Sequence, residues 1–93
     1  MPKINKILKE KIEATIELMQ GILEDTSVPK NIRKAIEDAK NKISDEKDLA
    51  VNISNAIYLM QDISNDINMP VHTRTEIWQI ISELEGIREQ CKC

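Results

Sequence analysis

Apolar residues recur at helical spacing along nearly the whole chain, and only short polar breaks separate the runs. From about Lys3 to Asp25, the positions Ile12, Thr15, Ile16, Leu18, Met19, Ile22 and Leu23 span an arc of about 160° on a helical wheel. That arc is wider than a two-stranded seam, so this helix is expected to be covered on two sides. A second helix starts near Pro29, which fits a first turn, with Ser27 as the expected N-cap. Its stripe is Ile32, Ala35, Ile36, Ala39 and Ile43. Ser44-Asp45-Glu46 reads as a cap with acidic residues at the positive end of a third helix. The third stripe is Leu49, Ile53, Ala56, Ile57, Met60, Ile63 and Ile67, which predicts a helix running to about Ile67. A fourth follows Pro70, with Ile77, Ile80, Ile81, Leu84, Ile87 and Cys91 on one face.

The pattern is written twice. At an offset of 41 residues, positions 6–36 fall on positions 47–77 with 12 identities, against roughly two expected by chance. Met19-Gln20 falls on Met60-Gln61, and Asp25, Pro29 and Arg33 fall on Asp66, Pro70 and Arg74. Asn68 stands where Ser27 stood, so the turn chemistry repeats with the core. One all-α domain over residues 1–93 follows, with repeat 1 at about 3–43 and repeat 2 at about 45–92. Short connections make sequential helices antiparallel, so the expected fold is an up-and-down four-helix bundle of two helical hairpins. The alternative is an elongated stack of two HEAT-like hairpins, whose repeat length is similar. Two uncapped repeats make a poor open solenoid, which favours the bundle.

Composition narrows the function classes. The chain has no Phe, one Trp and one Tyr, so its core must be aliphatic. Net charge is −3, and it is uneven: residues 1–46 carry nine basic and nine acidic side chains, residues 47–93 four and seven. This balance makes nucleic acid an unlikely main partner. The first hairpin nonetheless gathers Lys3, Lys6, Lys9, Lys11, Lys30, Lys34 and Lys40, the set an RNA- or ribosome-associated accessory protein would use. No apolar run approaches the ~20 residues that cross a bilayer. No signal peptide is legible, so a cytoplasmic protein is expected.

No cofactor, metal site or catalytic set is legible, and the protein is expected not to be an enzyme. Asp25 and Asp66 precede the hairpin turns, and Arg33 and Arg74 lie a turn into the following helices. They read as structural ion pairs, each Asp reaching its own Arg or that of the other repeat. His72, the only histidine, aligns with Asn31 and reads as solvated or capping. Gln20 and Gln61 read as structural polar residues beside the stripe. Cys91 and Cys93 are too few for a structural metal site in one chain, and read as inert thiols.

The copies differ most where the aromatics stand. Glu17 becomes Tyr58 and Glu37 becomes Trp78. Tyr58 lies roughly 140° from Ile53 and Trp78 roughly 100° from Ile77 on their wheels. Trp78 could tuck between the third and fourth helices with Tyr58 alone on the surface. Alternatively the pair marks a protein interface on the second hairpin, since Tyr and Trp are enriched at binding hot spots. Self-association as a homodimer is its simplest form, because a twofold contact needs only one patch.

With Met19-Gln20, Val28-Pro29 and the Met60-Gln61…Met69-Pro70 copy in place, the whole chain resembles uncharacterised protein family 0147, small archaeal proteins of unknown function. The resemblance implies a bromodomain-like four-helix bundle in an intracellular setting. It brings no activity, cofactor or site residue.

Overall fold

Four helices account for the regular structure of the computed structural model, which describes residues 6–45 and 47–91: α1 (Lys6–Leu23), α2 (Lys30–Ser44), α3 (Leu49–Ile63) and α4 (Val71–Cys91). No strand occurs among the described residues. The helices close into a ring: α1 packs on α2 and α4, α3 packs on α2 and α4, and the diagonal pairs do not meet. An elongated stack would set α1 against α3, so this is the closed bundle. Its envelope is 41 × 20 × 18 Å.

The two-sided stripes meet in the middle as layers. Counting outward from residues 27 and 68, the register of antiparallel hairpins puts Ile22, Ile32, Ile63 and Thr73 at one level. Met19, Ile36, Met60 and Ile77 form the next, and Ile12, Ile43, Ile53 and Leu84 lie further along; these side chains are buried. Between them comes a layer of Thr15, Ala39, Ala56 and Ile80, all fully buried. Here the repeat is not kept: one isoleucine stands with three small residues. Ile80 fills space that its counterpart Ala39 leaves empty, so volume is balanced across the layer rather than within each copy.

The turns depart from their expected chemistry. Ser27 does not cap α2; its hydroxyl and its backbone N–H both donate to Asp25 Oδ1, at 2.6 and 2.9 Å. Pro29 occupies the cap position without a side-chain cap bond. The second copy repeats the device, with the Asn68 N–H donating to Asp66 Oδ1 at 2.8 Å. These local turns stop the helices, because an Asp that accepts the N–H two residues on competes with the helical ladder. Helix α3 therefore ends at Ile63, and Ile67, expected on its core stripe, lies exposed in the turn. At the other end of the bundle, Ser44 belongs to α2 and Asp48, in the left-handed region (φ 49°), precedes α3 without a side-chain cap bond. Asp45 accepts the Lys47 N–H at 2.9 Å, and the Asn52 amide donates to the Lys47 carbonyl at 2.8 Å. The polar tie of this turn thus comes from inside α3. Glu46 lies outside the described residues.

Candidate functional site

Exposed large apolar side chains collect on one hairpin. Among the described residues, Val51, Tyr58, Ile67, Val71 and Trp78 are exposed in the second; in the first, only Ile7 is. At the 41-residue offset, these five stand where the first hairpin has Glu10, Glu17, Thr26, Lys30 and Glu37. The same backbone positions are thus polar in one copy and apolar in the other. Tyr58 is 68% exposed and Trp78 53%, so neither ring is tucked into the core. The repeat comparison marks the two aromatics, and exposure adds Val51, Ile67 and Val71 to them. Their polar counterparts in the repeat were the available signal.

Helical geometry gathers four of them on one side. His72 bonds to Asp25 at the end of α1, and Gln79 and Glu83 line a groove with Ala14 and Leu18, so that flank of α4 faces α1. At 100° per residue, Val71 and Trp78 fall on the opposite flank, turned toward α3. On α3, Asn52 and Leu59 face α2 across a groove with Asp38 and Lys42. Val51 and Tyr58 lie on the outermost ridge of α3, farthest from its buried stripe. The outer face of α3 and the adjoining flank of α4 therefore form one surface. It is poor in charge: Leu49 to Gln61 contains no charged residue, and α3 carries only Asp62. In α1 the stretch Lys6–Glu17 alone holds Lys6, Lys9, Glu10, Lys11, Glu13 and Glu17. Loss of charge with gain of Tyr and Trp is the compositional mark of an interface core.

The end of the bundle holding the Asp25 and Asp66 turns is built differently from the expected ion pairs. His72 Nε2 sits 3.0 Å from Asp25 Oδ2, and the Asn31 amide donates to Asp66 Oδ2 at 3.1 Å. Each aspartate is thus held by the first turn of the other hairpin, through residues that are themselves repeat partners. His72 is accordingly neither merely solvated nor a cap; it bridges hairpins. Neither Asp25–Arg33 nor Asp66–Arg74 forms an ion pair among the described residues. The Arg74 guanidinium instead donates to the Asp66 carbonyl at 2.9 Å, and the Nε atoms of Arg33 and Arg74 are buried without hydrogen-bond partners. Each Arg sits on the flank facing its own hairpin, while Asn31 and His72 sit on the flank facing the other and hold the carboxylates across the hairpins. Hydrogen bonds from Ser27 first, and then His72, hold the Asp25 carboxyl down at about 2. The Asn68 N–H, then Asn31, lower Asp66 as well.

Other expected features fall elsewhere. Lys6, Lys9, Lys11, Lys30 and Lys34 are exposed, interleaved on α1 with Glu10 and Glu13; Lys40 is drawn away from that set to donate to Gln20 Oε1 at 3.0 Å. Lys3 and Cys93 lie outside the described residues. Gln20 also donates to Glu24, whereas Gln61 is exposed and only its backbone carbonyl accepts, from Ser64. Cys91 packs partly buried against the core. No helix among the described residues is long and apolar enough to cross a membrane.

The fold and this surface define a class: a small all-α bundle of two repeated hairpins, the second of which carries an exposed apolar patch. The model of an uncharacterised protein family, UPF0147, matches residues 2–87, and the chain belongs to that family. A UPF0147 protein of Methanocaldococcus jannaschii is 43% identical over 84 residues, covering 89% of this chain and 90% of its own. One from Sulfurisphaera tokodaii is 45% identical over 80 residues, covering 85% and 90%. A crystal structure of a UPF0147 protein from Thermoplasma acidophilum superposes with TM-score 0.83 at 31% identity, covering 89% of this chain and 99% of that one. A crystal structure of a protein of unknown function gives 0.79 at 44%, covering 91% and 96%.

Proposed function

We propose that this protein works without catalysis, by protein–protein contact through the outer face of α3 and the adjoining flank of α4. The observation that carries the reading is the exchange of surface between copies. Glutamates at positions 17 and 37 give way to exposed aromatics at 58 and 78, beside a stretch of α3 without charge. A helix that faces only water gains nothing from such an exchange, and a covered one does.

The reading is tested by placing a photo-crosslinking residue at positions 58 and 78, and at the matched positions 17 and 37, in the native host. Protein adducts at 58 and 78 and none at 17 and 37 are expected. Equal yields on both hairpins, or no adducts at all, would overturn it. The exposed lysines of the first hairpin supply the competing RNA-associated reading. Steep loss of RNA binding with added salt would favour that reading. Negligible binding at low salt is expected here.

A further inference from the structure

We draw no further inference here: the strongest candidate, the exposed apolar patch on the outer face of α3 and the adjoining flank of α4, belongs to the surface already described, and nothing in the structure shows what covers it.

Discussion

Truncating Ile80 to alanine should be among the most damaging single changes in this bundle. Ile80 is fully buried, and the other residues at its level are Thr15, Ala39 and Ala56. The variant would leave four small residues in one layer. Removing three carbons forfeits about 2.4 kcal/mol of transfer free energy at ~0.8 kcal/mol each. An uncollapsed cavity of about 75 Å³ at ~24 cal/mol per Å³ adds about 2 kcal/mol. The expected loss is about 4 kcal/mol, a large share of the ~5–15 kcal/mol that holds a domain of this size. Urea unfolding followed by circular dichroism would read it, and melting should fall by roughly 20–30 °C. The layer argument makes a sharper demand on the double variant Ala39→Ile/Ile80→Ala. It moves the large side chain to the other repeat at constant volume, and should recover at least half the loss. A cost below about 2 kcal/mol for Ile80→Ala, or a double variant no better than the single, would refute the shared-layer account.

Three further outcomes follow from the structure. The Thr73 hydroxyl is fully buried without a hydrogen-bond partner, where the first repeat has Ile32; Thr73→Val should raise stability by about 1–2 kcal/mol in the same assay. Nothing lies within 4 Å of a Cβ added at Gly21, exposed in the last turn of α1; Gly21→Ala should add about 0.5 kcal/mol, and a loss would reveal strain there. Because the folded Asp25 carboxyl titrates at about 2, below the ~3.9 of an unfolded chain, the unfolded state binds more protons between these values. The stabilising contribution is complete above about pH 4–5 and is lost as pH falls toward 2. Urea midpoints between pH 5 and 2 should fall, and Asp25→Asn should flatten that slope.

The core was legible because burial follows helical spacing: Ile12, Met19, Ile36, Ile53, Met60, Ile77 and Leu84 were all in the expected stripes and all are buried. The turns were legible only in part. Ile67 extends the spacing of Ile53, Met60 and Ile63, and periodicity alone has no stop signal. The stop is Asp66 accepting the Asn68 N–H, and the repeat already hinted at it, since Ile67 aligns with Thr26 in the first turn. Asp25–His72 and Asp66–Asn31 join residues 47 and 35 positions apart. Such pairs depend on which flank of a helix faces which neighbour, and the wheel of one helix does not contain that information. Exposure was the missing quantity for the surface. Val51 and Val71 read as ordinary apolar residues until the bundle places them outside, beside the aromatics that the repeat comparison had already marked.

The most direct test is the solution mass by light scattering, under reducing conditions, of the parent and a Tyr58→Glu/Trp78→Glu variant. A dimeric parent with a folded, monomeric variant is predicted. A parent that stays monomeric, or a variant that stays dimeric, would contradict self-association as the form this contact takes.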